Sequence, residues 1–459
     1  MERMDLFPQT ARVEGDGHLW VGGCDTVSLA GQFGTPLYLF DEATLRTNCQ
    51  TYTAALAEAY PAVGEVAYAG KAWLSLAWLD ILAEEGLGLD VVSGGELYLA
   101  QQAGFPPDRV HFHGNNKSAE ELASALDWGL GRIVVDNHHE LELLDALAAR
   151  RGAQANVWLR LSPDIDVHTH AYRKTGLLDS KFGFPLATGD AAWALRHALA
   201  SPHLTPLGLH THLGSLVYEV EPFVQAVRAI LDFAATMADQ HAFALREFSP
   251  GGGWGVPYNE DDPVAPIKHW VRAVSLAVTE GCAQRGLPLP SLILEPGRSI
   301  VAPAGLALYT VGSRKLVPGV RTYVSVDGGM ADNIRPALYG SRYTALVANK
   351  ADAEPAEVVT VAGKYCESGD VLIKDIALPP TTPGDLLVIP MAGAYNLPLA
   401  NNYNLATRPA VILVREGSAH LIQRRETFGD LMRREVRLAA DHPAEPDSTP
   451  DSTEETCVP

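Results

Sequence analysis

Short apolar runs alternate with longer amphipathic stretches between about residue 65 and residue 295. The runs are rich in β-branched residues and the stretches repeat their apolar positions at helical spacing, which is typical of βα units around a parallel sheet. Strands are predicted at residues 66–69, 87–92, 110–113, 133–136, 157–161, 208–213, 245–248 and 292–295. Helices are predicted at residues 74–85, 140–150 and 223–240, and another begins at Ser118, where Glu121 has the spacing of a capping box.

Eight βα units over about 230 residues have the size and rhythm of a TIM barrel. A doubly wound open sheet is the structural alternative, because it is built from the same units. After Pro296 the apolar positions change to a period of two, at residues 322–326, 343–348, 357–362, 386–390 and 411–414. This change indicates an antiparallel β domain. Residues 37–40 have the same strand-like pattern and are expected to pair with that domain, as is the Gly-rich N-terminal segment.

The chain is therefore predicted to divide into four parts. Residues 1–35 form an N-terminal segment that associates with the β domain, residues 36–295 form the barrel, and residues 296–438 form the β domain. Residues 439–459 are rich in Pro, Asp, Ser, Thr and Glu without periodicity, so a disordered acidic tail is expected there.

The composition is that of a soluble globular protein, with 47% hydrophobic and 20% charged residues in a chain of 459. No apolar stretch reaches the roughly 18 residues of a membrane-spanning helix, and the N-terminus lacks the apolar block of a secretory signal. Acidic residues outnumber basic ones by 55 to 35 without a basic stripe, which argues against a nucleic-acid partner. The 5 cysteines form no CxxC pair, so a reducing cytoplasm fits best.

Polar groups lie at the ends of all eight predicted strands, where the active sites of such barrels are found. In chain order they are Lys71; Asp90 and Ser93; His113, Asn115 and Asn116; Asp136; Arg160; His210 and His212; Gly251, Gly252 and Gly253; and Glu295, Pro296, Gly297 and Arg298. This concentration predicts a functional site at the carboxyl ends of the strands.

Three of these strand ends together suggest one cofactor. A lysine at the end of an apolar strand is costly to bury unless it is paired or covalently used, so Lys71 is a candidate Schiff-base residue. Taken alone, a lysine with its ammonium in solvent is the better interpretation. The three glycines can bring backbone N–H groups close to a phosphate, or form an ordinary turn. Glu295 could keep a pyridine nitrogen protonated, and the three features together indicate pyridoxal 5'-phosphate.

His210 and His212 are two apart on a predicted strand, so their side chains share a face. They fit three interpretations: satisfied core residues, a metal pair, or a ring stacked against a planar cofactor. A metal site needs ligands at neighbouring strand ends, for which His113 and Asp136 are available. That interpretation leaves Lys71 and the glycines unexplained, so no metal is predicted.

A thiol in the β domain is a further candidate. Cys366 lies between Tyr365 and Glu367 in a polar run, whereas inert cysteines are commonly buried among apolar residues. We therefore favour a functional thiol, which would be competent as a proton donor.

Ordered motifs extend from about residue 37 to residue 434. They are YAGKA at 68–72, GLDVVSGGEL at 88–97, HFHGNNKS at 111–118, SKFGF at 180–184, GLHTHLGS at 208–215, GGGWG at 251–255, EPGRS at 295–299, DGGMADNIRPALYG at 327–340, CESGD at 366–370, AGAYNLPLANNYN at 392–404 and RPAVILV at 408–414. Together they resemble the fold type III pyridoxal-phosphate-dependent decarboxylases, and within them the diaminopimelate decarboxylases.

The resemblance implies an alanine-racemase-type (β/α)8 barrel joined to a β domain, and it assigns roles to individual residues. Lys71 resembles the lysine that bears the cofactor, His212 the imidazole stacked on the cofactor ring, and Glu295 the partner of the pyridine nitrogen. The other implied cofactor contacts are Ser215, Gly251, Gly252, Gly253, Pro296, Gly297, Arg298 and Tyr395. The implied substrate contacts are Arg298, Arg335, Tyr339, Glu367 and Tyr395.

The implied reaction is decarboxylation of meso-2,6-diaminopimelate to L-lysine and carbon dioxide. The substrate amine displaces Lys71, and Cys366 reprotonates Cα. In this family the residues at Cys366 reach the site from the other subunit, so a homodimer with shared sites is implied. Glu367 with Arg298 and Arg335 suits a substrate end that carries an ammonium and a carboxylate, whereas ornithine or arginine would favour acids alone.

Three places depart from the usual family pattern. AWLS follows Lys71 where asparagine is usual, Leu216 stands where glutamine is common, and Ser249-Pro250 precedes the glycines in place of an apolar-acidic pair. None of these changes removes a chemical group to which a role is assigned above.

Overall fold

A computed structural model describes residues 3–166 and 179–438. The expected tail at residues 439–459 lies outside these ranges. The first elements are β1 (Arg12–Val13), β2 (Leu19–Val21), β3 (Cys24–Asp25) and α1 (Thr26–Phe33). The three strands form a small antiparallel sheet in the order β1-β2-β3. Among the described residues, no helix combines the length and the apolar character needed to cross a bilayer.

Eight parallel strands close into a barrel after β4 (Leu37–Asp41) and α2 (Glu42–Ala59). They are β5 (Gly64–Ala69), β6 (Gly88–Val91), β7 (Val110–Phe112), β8 (Arg132–Val135), β9 (Ala155–Ser162), β11 (Leu204–His210), β12 (Glu247–Gly251) and β13 (Ser291–Leu294). Each strand pairs with the next, and β13 pairs with β5 to complete the ring. The short strand β10 (Phe184–Pro185) adds to β9 outside the ring. The predicted barrel is confirmed.

Helices follow the barrel strands and cover the sheet. They are α3 (Leu76–Glu84), α4 (Gly94–Gln102), α5 (Ala119–Trp128), α6 (His138–Arg151), α7 (Asp190–Ala200), α8 (Glu221–His241) and α9 (Ile267–Arg285). In α8 the buried residues recur at helical spacing along one face, which packs against α9. The capping box is confirmed: Ser118 Oγ accepts from the N–H of Glu121 at 3.1 Å, and Glu121 Oε2 accepts from the N–H of Ser118 at 2.8 Å.

A second sheet contains β4 and the strands that follow the barrel. These are β14 (Gly305–Val317), β15 (Arg321–Val326), β16 (Leu346–Val347), β17 (Glu357–Ala362), β18 (Val371–Leu378), β19 (Leu386–Ile389), β20 (Ala410–Arg415) and β21 (Ser418–Gln423). Short helices α10 (Arg298–Val301), α11 (Arg335–Tyr339) and α12 (Phe428–Met432) lie in the same half of the chain. The main path of the sheet is β18-β17-β15-β14-β4-β20-β21, and β19 pairs with β14 and β16.

The second sheet is mainly antiparallel, as predicted, but two of its pairs are parallel. These are β15 with β17 and β4 with β20, and neither pair is joined by a hairpin. β4 lies inside the range 36–295 assigned to the barrel, yet it pairs with β14 and β20 of the second sheet. The expectation that residues 37–40 join the β domain is therefore confirmed.

Several predicted strands differ from the structure in extent, and two of these differences affect residues near the site. The sixth barrel strand was expected at residues 208–213 but spans Leu204–His210, so His212 lies beyond its end. The strand expected at residues 343–348 is reduced to Leu346–Val347, because Tyr343 turns its hydroxyl into a buried polar group with Arg335 and Asn396. One continuous cluster of buried apolar residues extends from the barrel into the second sheet.

Candidate active site

A cavity of about 410 Å³ opens at the carboxyl ends of the barrel strands. It is lined by Ala69, Gly70, Lys71, Asp90, Val92, His113, Gly114, Asn115, Arg160, Lys181, Phe182, His210, His212, Gly214, Ser215, Glu295, Arg298, Tyr339 and Tyr395. A narrower space of about 20 Å³ adjoins it and adds Gly253, Trp254, Gly297 and Ser299 to the lining. Another cavity, of about 420 Å³, lies beside β18 and contains none of the predicted site residues.

Lys71 reaches the cavity from a short 3-10 turn, Gly70–Ala72, directly after β5. Lys71 is exposed, as expected for a lysine with its ammonium in solvent, but it lines both the cavity and the narrower space. The next carbonyl, that of Ala72, accepts a hydrogen bond from the N–H of Tyr395 at 2.9 Å. The β domain therefore holds the turn that carries Lys71.

Glu295 follows β13 and is buried, with a partner for each carboxylate oxygen. The hydroxyl of Ser249 donates to Oε1 at 2.6 Å, and His210 Nε2 lies 2.9 Å from Oε2. Burial alone would raise the pKa of Glu295. The neighbouring His210 and His113 and the Ser249 hydrogen bond outweigh that effect and hold the pKa well below its usual value. The carboxylate is therefore ionised at neutral pH.

Asp90 and two histidines extend this buried group across neighbouring strands. Asp90 Oδ1 lies 3.1 Å from His111 Nδ1 and 3.6 Å from His113 Nε2, which is 3.7 Å from Glu295 Oε1. Burial and the nearby Glu295 raise the pKa of Asp90 to about 7. Of these two neighbouring acids, Glu295 is thus a stable anion, whereas Asp90 takes up a proton near neutral pH.

The two histidines predicted to share a face have different surroundings. His210 is buried against Glu295, whereas His212 is partly buried, lines both spaces and accepts the N–H of Gly252 on Nδ1 at 3.3 Å. Burial and the nearby Lys71 lower the pKa of His212, so its ring is neutral at neutral pH. Ligand atoms of His113, His210 and Glu295 lie within 4.8 Å of one another, as a metal site would require. Contact between Glu295 and the two histidines accounts for this grouping without an ion.

The glycine run after β12 is shaped by close backbone packing. A Cβ on Gly252 would lie 1.9 Å from the carbonyl oxygen of Glu295, and one on Gly253 would lie 2.0 Å from that of Gly214. The N–H of Gly251 donates to Ser249 Oγ and that of Gly252 donates to His212. The N–H groups of Gly251 and Gly252 are therefore engaged within the chain, while Gly253 lines the narrow space, and a phosphate contact of this run stays a prediction.

Arg298 occupies the start of α10 and joins three parts of the site. Its Nε and Nη2 donate to Ser215 Oγ at 3.3 and 3.0 Å, and its Nη1 donates to Tyr258 Oη at 2.6 Å. The guanidinium carbon lies 4.4 Å from the centre of the Tyr395 ring. Both Ser215 and Arg298 line the narrow space, so a hydroxyl and a guanidinium face it together.

The predicted substrate residues of α11 separate in space. Tyr339 lines the cavity, but Arg335 is 1% exposed and lies outside its lining. Its guanidinium carbon lies 4.2 Å from the centre of the Tyr258 ring, and Nη1 donates to the hydroxyl of Tyr343. Arg335 is thus packed against the ring of Tyr258 in this chain.

Cys366 and Glu367 do not line the cavity of their own chain. They lie on the exposed turn between β17 and β18, where the N–H of Cys366 donates to Asn404 Oδ1 at 3.1 Å. Glu367 Oε1 accepts the N–H of Gly369 at 3.3 Å. An exposed thiol at this place agrees with the polar run around Cys366, but the described residues that line the cavity include no thiol.

Comparison with known proteins identifies the family. Residues 43–302 match the model for the pyridoxal-dependent decarboxylase, pyridoxal binding domain. The diaminopimelate decarboxylase of Bacillus subtilis is 47% identical to this chain, and the match covers 92% of this chain and 96% of the relative. That of Halalkalibacterium halodurans is 45% identical, and the match covers 94% of this chain and 98% of the relative. The structure of diaminopimelate decarboxylase from M. jannaschii in co-complex with L-lysine has a TM-score of 0.88 at 35% identity, covering 94% of this chain and 98% of that chain. The chain belongs to the diaminopimelate decarboxylase family.

The cofactor of a pyridoxal-dependent family fits the groups that this cavity offers. The narrow space is lined by a guanidinium, a hydroxyl and a glycine at which a Cβ would not fit. This set of groups suits a phosphate. Glu295 offers an anion for a protonated ring nitrogen, and Lys71 lines both spaces. The chemistry of the donor set is therefore that of a pyridoxal phosphate site.

Several members of the decarboxylase site were not assigned from the sequence. Arg160, Lys181 and Phe182 line the cavity, and the guanidinium of Arg160 lies 4.3 Å from the centre of the Phe182 ring. In the sequence, Arg160 was indicated by its place at a strand end, and Lys181 and Phe182 were indicated by the SKFGF motif. Tyr258, which contacts both Arg298 and Arg335, lies three residues beyond the GGGWG motif and has no signal of its own.

Proposed function

We propose that this protein decarboxylates meso-2,6-diaminopimelate to L-lysine and carbon dioxide with pyridoxal 5'-phosphate, the last step of lysine biosynthesis. The observation that carries the proposal is the meeting of Lys71, Glu295 and Arg298 at one cavity, in a chain that matches a diaminopimelate decarboxylase over 92% of its length. The M. jannaschii relative was crystallised with L-lysine, which would be the product here.

Charge supports the placement of the cofactor. Lys71 would hold it through the side-chain amine, Arg298 with Ser215 would bind its phosphate, and the anion of Glu295 would face its ring nitrogen. His212, neutral and lining the cavity, would pack against the ring. When bound, pyridoxal phosphate supplies an electron sink for the pair that the departing carboxylate leaves on Cα.

Substrate recognition rests on charged groups around the cavity. Arg298 is in reach of a ligand in both spaces, and Tyr339 lines the larger one. Arg335 would add positive charge from behind Tyr258, and Glu367 would bind the distal ammonium. An acid together with arginines matches a substrate end that carries both charges.

We further propose a homodimer in which Cys366 and Glu367 enter the site of the partner. No thiol lines the cavity within residues 3–166 and 179–438, whereas Cys366 is exposed on a turn of the β domain. A thiol that enters from a second chain would protonate Cα, since thiols are competent general acids. Cys24, Cys49, Cys282 and Cys366 are free, which supports our placement of the protein in the reducing cytoplasm.

The direct test is incubation of the purified protein with pyridoxal phosphate and meso-diaminopimelate, with carbon dioxide and lysine measured together. We expect equal amounts of the two products. A Lys71→Ala variant should lose both, whereas Lys268→Ala, which removes an exposed lysine of α9, should keep both. Release of a diamine from lysine, or racemisation without carbon dioxide, would instead show a related reaction of the same fold.

A further inference from the structure

Ser249 occupies one of the positions where this chain departs from the usual family pattern. It lies in β12 and is fully buried. The ladder to β13 skips from Phe248 to Gly251, so Ser249 and Pro250 form an irregular step. Pro250 has no N–H for the ladder, which suits it to such a step. The side chain of Ser249 meets the carboxylate of Glu295 at this point.

The direction of the Ser249 hydrogen bonds follows from its two partners. The N–H of Gly251 can only donate, and it lies 3.1 Å from Ser249 Oγ. The hydroxyl hydrogen is therefore available for Glu295 Oε1, which lies 2.6 Å away. Ser249 thus accepts from the glycine loop and donates to the carboxylate.

The second oxygen of Glu295 has a similar arrangement. His210 Nδ1 is buried without a hydrogen-bond partner among the described residues, while Nε2 faces Oε2. With its hydrogen on Nε2, the neutral ring donates to the carboxylate. Because burial lowers the pKa of His210, a neutral donor is the form expected at neutral pH.

The geometry points to Ser249 as a positioning residue that, together with His210, keeps Glu295 ionised and in one orientation toward the ring nitrogen of the cofactor. This inference rests on the proposed function. A carboxylate with a donor on each oxygen is stabilised as the anion and cannot rotate freely. Ser249 also joins this anion to Gly251, so the phosphate end and the nitrogen end of the site share one hydrogen-bonded link.

Other charged groups face Glu295 from neighbouring strands, and they remain when Ser249 is changed. They are Asp90, His111, His113, Arg160, His210 and His212. The buried histidines have lowered pKa values and gain charge only on the acid side, and they do so in the wild-type protein and in a Ser249 variant alike. Hydrogen-bond donation to Glu295 should therefore be measurable against this background.

The test compares Ser249→Ala with the wild-type protein carrying its cofactor. Loss of one donor to a carboxylate should raise the pH at which Glu295 takes up a proton by about one unit. The acid-side change in visible absorption of the bound cofactor should move upward by the same amount, as should the acid limb of kcat. At the pH of that limb kcat should fall about tenfold, with little change in KM.

Ser249→Thr restores a hydroxyl donor and should return the transition toward its wild-type pH. Ser275→Ala is the matched control, because it removes a buried hydroxyl of α9 that has no hydrogen-bond partner among the described residues. If Ser249→Ala does not fold, Ser249→Cys keeps the shape with a weaker donor and should give a smaller shift in the same direction.

An unshifted transition in the folded Ser249 variant would overturn the inference, as would an equal shift in Ser275→Ala. These outcomes leave the proposed function standing if the wild-type protein binds cofactor and forms lysine. A wild-type protein that binds no cofactor would instead overturn both.

Discussion

Tyr258 is the residue on which two arginines of the site meet. Its hydroxyl accepts from Arg298 Nη1 at 2.6 Å, and its ring lies 4.2 Å from the guanidinium carbon of Arg335. Arg298 and Tyr258 are 40 positions apart in the chain, on α10 and after β12. The hydroxyl and the ring thus hold different partners, so they can be tested separately.

We expect Tyr258→Phe to weaken ligand binding more than it slows turnover. The ring that packs against Arg335 remains, but Arg298 loses an acceptor and is less well oriented toward the phosphate and the substrate. KM and the cofactor dissociation constant should each rise about tenfold, the effect of one hydrogen bond to a charged group. Steady-state kinetics and cofactor titration measure this. Tyr60→Phe, which removes a hydroxyl bonded to the carbonyl of Pro290, should change neither constant.

Lys117 and Glu140 form a buried ion pair next to the site. Lys117 Nζ lies 2.7 Å from Glu140 Oε1 and also donates to the carbonyls of Gly114 and Val134 at 2.8 Å. Both side chains are almost fully buried, at 1% and 2% exposure. Removal of one partner would leave the other charge buried without its counter-ion.

Lys117→Met should therefore lower the free energy of unfolding by about 3–5 kcal/mol. Arg272→Met breaks an exposed pair with Glu58, whose side chains are 72% and 61% exposed, and should cost no more than about 1 kcal/mol. Denaturant titration followed by circular dichroism compares the two. Equal losses in the free energy of unfolding would show that the buried Lys117–Glu140 pair contributes no more to stability than the exposed pair.

At the scale of elements, the loop after β12 depends on the absence of side chains. A Cβ at Gly252 would meet the backbone of the Glu295 segment, which carries the pyridine partner of the proposed function. Backbone cannot give way as a flexible side chain can. The packing of two strand ends, rather than the turn alone, therefore requires glycine at this position.

Gly252→Ala should push the β12 and β13 ends apart and abolish cofactor binding, measured by retention of visible absorption after dialysis. Gly31→Ala is the control, since nothing lies within 4 Å of a Cβ placed there in α1. That change should leave cofactor binding intact and stabilise the helix by up to about 1 kcal/mol. Cofactor retention by Gly252→Ala would contradict the packing argument.

At the scale of the whole molecule, the site draws on both domains. Tyr395 from the β domain donates to the Lys71 turn and packs on Arg298, so the barrel end is completed by the second sheet. Cys366 belongs to the same β domain but lies on an exposed turn outside the cavity. In the proposed homodimer, Cys366 of a second chain would bring a thiol to the site.

A mixing experiment tests the proposed sharing of sites. Lys71→Ala and Cys366→Ala proteins should each be nearly inactive alone. After exchange of subunits, half of the dimers contain one of each, and one of their two sites has both residues intact. Activity should therefore recover to about a quarter of the wild-type value. No recovery, with mixed dimers demonstrated by mass, would show that each site uses its own thiol.

The amino-acid sequence alone determined the barrel and the place of its chemistry. Each barrel strand is buried on both faces and is therefore a short apolar run. Such a run can be recognised in the sequence without knowing which strands lie beside it. Lys71, Glu295 and Arg298 could be assigned to one site because parallel strands present their carboxyl ends on the same side. Cys366 could be singled out because a thiol in a polar run is unusual.

Tertiary structure alone decided which side chains meet. The Ser249 and His210 donors on Glu295, the packing of Arg335 behind Tyr258, and the use of two glycine N–H groups inside the chain join residues far apart in sequence. Apolar periodicity describes what each strand buries but not which partner faces it. Hydrogen bonds between strand ends depend on distances of a few ångström, which only the closed barrel and its docked β domain define.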